Sequence, residues 1–112
     1  MSARQDDRGS VTAEFAVVLP AVVLVLALGA SLLGACGRQV RLQDAAADAA
    51  RLVARGEPVS RASAAVGDAV AGAHATVSHR DDLVCVRASA SAGVPLVALT
   101  LHADSCALAG GL

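Results

Sequence analysis

The sequence has very little aromatic character: Phe15 is the only aromatic residue among 112, and Trp and Tyr are absent. The hydrophobic fraction is nevertheless 55%, because Ala, Val and Leu are abundant. Alanine side chains are small, so a core built from them buries little apolar area per residue, and the folded part is expected to be marginally stable. A chain of this length also has no room for a large enzyme core.

An excess of charge of either sign is also missing, since the formal net charge is −1. The chain therefore lacks both a basic stripe for nucleic acid and an acidic tail. His74, His79 and His102 do not have the close spacing of zinc ligands. The neighbours His102, Asp104 and Ser105 are triad residue types, but catalytic triads converge from separate segments. We expect no enzyme, metal site, cofactor or nucleic-acid partner.

Charged residues are completely absent from Phe15 to Cys36. The run consists of Val, Leu and Ala, interrupted only by Pro20, Gly29, Ser31 and Gly34. As a helix it is long enough to cross the hydrocarbon layer, which takes roughly 20 residues at about 1.5 Å each. A soluble core helix would be shorter and would show a polar face. The run predicts a single membrane span.

One acidic residue stands at the start of this run. Gly9 is followed by four residues and then by Glu14, a spacing that resembles a type IV prepilin processing site. The segment Glu14-Phe15-Ala16-Val17-Val18-Leu19-Pro20 is similar to the opening E-F-A-x-x-L-P of TadE-like proteins, the minor pilins or pseudopilins of tight-adherence pili. The resemblance continues through Gly37-Arg38-Gln39 to residue 55, and covers about half the chain.

The resemblance implies how the protein is processed and where it sits. A prepilin peptidase would cut between Gly9 and Ser10, and the apolar helix would then pack with other pilin subunits at a pilus assembly platform or a related secretion apparatus. Glu14, Phe15 and Pro20 would serve processing and assembly. The N-terminus would be cytoplasmic and the C-terminal domain extracytoplasmic, an orientation that the arginines flanking the span do not decide.

Two of these residues also have simpler interpretations. Glu14 could merely mark where the membrane helix begins, and Pro20 could be an ordinary kink, since proline removes a backbone donor and would free the carbonyl of Ala16. Neighbouring helices or water can satisfy such a carbonyl within a membrane.

A competing hypothesis rests on Leu33-Gly34-Ala35-Cys36, which resembles a bacterial lipobox. Its use would discard residues 1–35 as a signal peptide and leave a lipoprotein with a small binding domain. A bitopic envelope protein with such a domain belongs to the same class of hypothesis. Glu14, the balanced charge of the leader and the length of the apolar run all argue against a signal peptide. The mature N-terminus, at Ser10 or at a modified Cys36, distinguishes the two hypotheses.

The sequence predicts an α+β protein in three parts. Residues 1–9 form a cytoplasmic leader without regular structure, residues 10–36 the membrane helix, and residues 37–112 a small extracytoplasmic domain. The membrane helix continues into an amphipathic helix, because residues 42–53 repeat apolar side chains at helical spacing, and Gly56-Glu57-Pro58 ends it.

A shorter helix and a small antiparallel sheet complete the predicted domain. The helix covers residues 59–71, with Ser60 as its cap, Ala62, Val66, Ala69 and Val70 on one side, and Gly72 as its stop. Alternating apolar residues then predict a hairpin around residues 80–82 and a third strand within residues 96–107.

Of the three cysteines, Cys36 ends the span, whereas Cys85 and Cys106 lie in the predicted exported domain. An oxidising compartment would permit a disulfide between Cys85 and Cys106. Two free, buried cysteines are an equally good interpretation of the sequence alone. We adopt the disulfide as the prediction to test.

Overall fold

The computed structural model describes residues 2–110, with side chains for residues 9–110. Helix α1 covers Ser2–Ala54 and helix α2 covers Val59–Ala69. Three strands follow: β1 (His74–Arg80), β2 (Leu83–Ser91) and β3 (Thr100–Leu108). They form one antiparallel sheet in the order β1-β2-β3. The predicted α+β architecture is confirmed. The chain divides into two units, Met1–Leu32 and Leu33–Leu112.

The first unit consists of the N-terminal part of α1. The segment Gly9–Ala54 contains a window with a mean hydropathy of 2.7, and none of that window is buried. This is the one helix among the described residues that is long and apolar enough to cross a membrane. The leader was expected to lack regular structure, which is wrong for residues 2–9 because α1 begins at Ser2. Met1 lies outside the described residues.

The second unit contains the core, which is built from small side chains as its composition predicts. The C-terminal part of α1 supplies a buried stripe at helical spacing, and α2 and the inner face of the sheet pack against it. The largest fully buried side chains are Leu42, Val66 and Val86. The buried residues of α1 in this cluster are Leu42, Ala45, Ala46, Ala49 and Ala50.

The end of α1 matches its sequence signal. Gly56 has a φ of +90°, a conformation that glycine adopts without steric cost. Its N–H donates to the carbonyl of Val53 over 3.0 Å, and the N–H of Glu57 donates to the carbonyl of Leu52 over 3.0 Å. These two bonds form a Schellman motif and satisfy carbonyls that the helix end leaves open.

The boundaries of α2 differ from the prediction. The helix ends at Ala69, whose side chain is exposed, and buried Val70 already has an extended backbone. Ser60 is not the cap: Pro58 occupies that position, and no side chain caps the helix. Proline fixes its own φ, which presets the entry into the helix. Gly72 lies beyond the helix, in the turn that leads to β1.

The third strand begins later than residue 96. A turn from Val94 to Val97 comes first, with Pro95 at its second position and Leu96 at a φ of +65°. This backbone geometry cannot join the ladder of β2, so pairing starts at Thr100, opposite Ser91.

A core this rich in alanine should be sensitive to added volume. Ala62 is fully buried in α2, and Ala64 is exposed in the same helix. Ala62→Leu should lower the free energy of unfolding by about 1–3 kcal/mol through overpacking. Ala64→Leu should change it by less than about 0.5 kcal/mol. Hydrogen exchange of the β2 amides in detergent-solubilised full chain measures both, and equal effects would show that the core lies elsewhere.

Candidate processing and assembly site

The residues predicted for processing lie on successive turns of α1. Gly9, Ser10 and Glu14 are all helical and exposed. A Cβ atom built at Gly9 would meet no other atom within 4 Å, so the fold of this chain places no steric demand for glycine there. A requirement for glycine at position 9 must therefore come from a partner.

Ser10 and Glu14 are four residues apart, so they lie on the same face of the helix. Side chains on an α-helix lean toward its N-terminus, which directs Glu14 toward the turn of Ser10. Within the described part of the chain, Glu14 makes no ion pair. The carboxylate lies directly before the apolar run.

The apolar residues after Glu14 have no protein contacts that bury them. Phe15 is 67% exposed and Leu33 is 75% exposed. α1 passes through Pro20 without ending. The Ser31 hydroxyl donates to the carbonyl of Ala27 over 2.9 Å, so this polar group is satisfied inside the helix. The surface of this segment is apolar on all sides.

Three polar side chains of α1 donate hydrogen bonds to backbone carbonyls of the sheet and of the turn before β1, all within the second unit. The Arg38 guanidinium donates from Nε to the carbonyl of Ser91 over 3.0 Å and from Nη2 to the carbonyl of Ala71 over 3.3 Å. The side-chain amide of Gln39 donates to the carbonyl of His102 over 2.9 Å, and that of Gln43 donates to the carbonyl of Asp104 over 3.0 Å.

The two glutamines cover part of the free edge of β3, which would otherwise offer unpaired carbonyls to another strand. The sequence analysis missed these contacts. The one available signal was that Gln39 and Gln43, four residues apart, lie on the same side of the helix.

The outer face of the sheet carries the disulfide. Cys85 of β2 and Cys106 of β3 are directly opposite in the register, and their sulfurs are bonded in the structure. Cys85 is half-buried and Cys106 is exposed, so the bond lies at the surface instead of in the core. Cys36 is a free, exposed cysteine on α1.

A bidentate ion pair lies beside the disulfide on the same face. Arg87 Nε donates to Asp104 Oδ1 over 2.8 Å and Arg87 Nη2 donates to Asp104 Oδ2 over 3.3 Å. The hydrogen bond from Arg87 lowers the pKa of Asp104. Because the pKa of Asp104 is lowered in the folded state, the ion pair stabilises the fold at pH values above the ordinary pKa range of aspartate. This support is lost as the pH falls through the folded pKa.

The three histidines lie at the surface of the sheet. His74 and His79 lie on β1 and His102 on β3, and all three side chains are exposed. Among the described residues, no group of three or more His, Cys, Asp or Glu is arranged to hold a metal ion.

The TadE-like protein family model matches residues 9–51. The match confirms the resemblance seen in the sequence over this N-terminal part, which includes Gly9, Glu14, Pro20 and the glutamines of α1. It supports a protein associated with tight-adherence pili. No curated protein and no solved structure matches the chain.

The Cys85–Cys106 bond predicts a specific alkylation pattern. In the unreduced, denatured protein only Cys36 should react with an alkylating reagent, and after reduction all three cysteines should react. Modification of Cys85 and Cys106 before reduction would contradict the bond, and a Cys36→Ser variant is the control. Reduction should lower the free energy of unfolding by about 3 kcal/mol, because the bond closes a loop whose ends are 21 residues apart.

Proposed function

We propose that this chain, whose residues 9–51 match the TadE-like family model, is a TadE-like minor pilin or pilus-assembly pseudopilin. A prepilin peptidase cleaves it between Gly9 and Ser10. The apolar part of α1 then packs with other pilin subunits at the assembly platform. The role is structural, and the catalyst in it is the peptidase.

The extent of the family match is the observation that carries this proposal. The match begins at Gly9 and runs past Cys36 to residue 51, so it includes the segment that lipoprotein processing at Cys36 would remove. Cleavage after Gly9 would keep residues 10–51 of the match in one mature chain, whereas cleavage before Cys36 would divide the match. The match therefore favours retention of the apolar helix over its removal.

Cleavage at Gly9 requires local unwinding of α1. A peptidase acts on extended backbone, and residues 9 and 10 are helical. Glycine costs about 1 kcal/mol more than alanine in a helix interior, so it lowers the cost of opening the helix at this point. Its lack of a side chain also lets the extended backbone enter a narrow site.

The proposed orientation places the N-terminus in the cytoplasm and the second unit outside. The surface disulfide between Cys85 and Cys106 supports this orientation, because disulfides persist in the oxidising compartments outside the cytoplasm.

The proposed assembly contact joins Glu14 to the ammonium group that cleavage creates at Ser10. Before cleavage, Glu14 borders the apolar run and reaches interfacial water at little cost. Packing among pilin helices removes that water, and a lone carboxylate becomes expensive. The new α-amino group is mostly protonated at neutral pH, since such groups titrate near 7.7–8.0.

The strength of this contact is sufficient to select the register between subunits. Two opposite charges about 4 Å apart attract by about 4 kcal/mol at an effective dielectric constant near 20, before the cost of desolvation is subtracted. Processing would thus give Glu14 a charged partner, which none of the described side chains provides.

Substitution of Gly9 tests the processing step. In cells that contain the peptidase, the native chain should lose residues 1–9, and Gly9→Val should block this loss. Gly37→Val is the matched control, because Gly37 is also a glycine of α1 at which an added Cβ atom would meet nothing within 4 Å. Mass spectrometry of the N-terminus provides the measurement. A native chain that keeps Met1 in cells making mature pili would contradict the proposal.

Substitution of Glu14 tests the assembly contact separately. Glu14→Gln removes the charge while keeping the shape, so we expect normal cleavage but a loss of about tenfold or more from the pilus or assembly complex, since every 1.4 kcal/mol of contact energy is a factor of ten. Glu57→Gln is the control, because the Glu57 side chain forms a surface pair with Arg61 at 3.5 Å, and the backbone bond of Glu57 does not depend on its carboxylate. Normal incorporation of Glu14→Gln would rule out the contact and leave the processing step intact.

A further inference from the structure

The loop between β2 and β3 exposes apolar side chains in a closed, well-defined conformation. The N–H of Ala92 donates to the carbonyl of Leu99 over 2.9 Å, which closes the loop at its base. Inside it, the N–H of Val97 donates to the carbonyl of Val94 over 3.4 Å across the turn of Pro95 and Leu96. We call residues 92–99 the apolar loop.

Leu96 occupies a position where glycine or asparagine is usual. A proline followed by a residue at positive φ is the pattern of a type II turn, and the φ of Leu96 is +65°. The conformation is strained for a residue with a Cβ atom. It leaves the Leu96 side chain fully exposed, at 106% of the reference area, with Val97 and Leu99 each 50% exposed. Three exposed apolar residues within four positions form a candidate interaction surface.

The Arg38 side chain of α1 contacts the base of the apolar loop. Arg38 Nε donates to the carbonyl of Ser91, directly before the loop, over 3.0 Å. A Cβ atom at Gly93 would lie 3.6 Å from Arg38 Cδ. Arg38 is two residues beyond Cys36, where the uncharged run ends. The loop is therefore fixed beside the end of the predicted span.

The contacts of Gln39 and Gln43 indicate the position along the α1 axis at which the apolar loop lies. Gln39 reaches His102, and Gln43 reaches Asp104. Four helical residues rise about 6 Å and two strand residues rise about 6.6 Å, so β3 and α1 advance side by side in the same direction. By this correspondence, Thr100 is level with about Ala35. The apolar loop precedes Thr100, so it lies beside the last turn of the uncharged run.

We infer that the apolar loop inserts into the membrane–water interface of the bilayer that α1 spans. Leu96, Val97 and Leu99 contact the boundary between lipid headgroups and acyl chains, as the apolar side chains of interfacial segments do. The loop lies level with the end of the uncharged run of α1, the segment predicted to enter the bilayer, and this position favours lipid as the occupant. The strained backbone at Leu96 presents the leucine to the bilayer.

The test measures contact between the loop and lipid in the full-length chain. A Cys36→Ser background keeps the native disulfide, and Ala98→Cys adds one labelling position within the loop while leaving Leu96, Val97 and Leu99 unchanged. The cysteine is coupled, without reductant, to an environment-sensitive fluorophore. The protein is reconstituted into phosphatidylcholine–phosphatidylglycerol vesicles with and without a lipid that carries a shallow nitroxide quencher.

We expect a blue-shifted emission at position 98 and strong quenching by the nitroxide lipid. Leu96→Asp should remove most of that quenching, because a carboxylate opposes entry into the apolar boundary. Leu108→Asp is the matched control: Leu108 is 56% exposed at the other end of β3, so its substitution should leave the quenching at position 98 unchanged.

A label at position 98 that emits as in water and is not quenched would overturn the inference. Docking of the loop on another pilin helix would then be one of the remaining explanations. Equal losses for Leu96→Asp and Leu108→Asp would also overturn it, since the contact would then not depend on the loop. A Leu24→Cys label within the span reports insertion of α1 itself. If that label is quenched and the one at position 98 is not, the inference fails while the proposed span stands.

Discussion

The apolar surface of α1 from Phe15 to Cys36 is the constraint on which the rest of the structure depends. From Phe15 to Cys36 the helix satisfies its own backbone, apart from the carbonyl that Pro20 leaves open, but it buries none of its apolar window against protein. Such a surface needs lipid or the helices of other subunits. Glu14 is the charged residue directly before this run. Its carboxylate is costly among packed helices but not in a lipid bilayer, where it reaches interfacial water. Under the proposed processing, the same helix would anchor the precursor and then select a neighbour after cleavage.

The second unit depends on the same helix in a different way. The stripe from Leu42 to Ala50 supplies a large part of an alanine-rich core, so the sheet would lose its main packing surface without α1. Small side chains contribute little burial, and directional contacts add to it: the bonds from Arg38, Gln39 and Gln43 and the disulfide on the outer face of the sheet. The disulfide acts chiefly by restricting the unfolded chain, which is the form of stabilisation that a small core lacks.

Features with a local periodic signal could be predicted from the sequence. The helix stop at Gly56, the strand alternation around Val84 and Val86, and the apolar run all follow from neighbouring residues. The start of β3 at Thr100 could not be predicted, because a leucine at positive φ gives no sequence signal for a turn. The bond from Gln39 to His102 joins residues 63 positions apart, and one sequence contains no measure of that proximity. The cleavage pattern was recognisable only by resemblance, since Gly9 makes no contact that requires a glycine.

The proposed contacts of Glu14 and of the apolar loop have opposite effects on the transfer of the protein out of the bilayer. A pairing of Glu14 with a neighbouring subunit favours transfer of α1 from lipid into a helical bundle. A loop held in the interface opposes that transfer, because Arg38 fixes the loop to the end of the apolar run and both must leave the lipid together. The cost of extraction then includes the exposed side chains of Leu96, Val97 and Leu99 in addition to the helix. A chain with both of these proposed contacts would be held at the bilayer more firmly than one anchored by α1 alone.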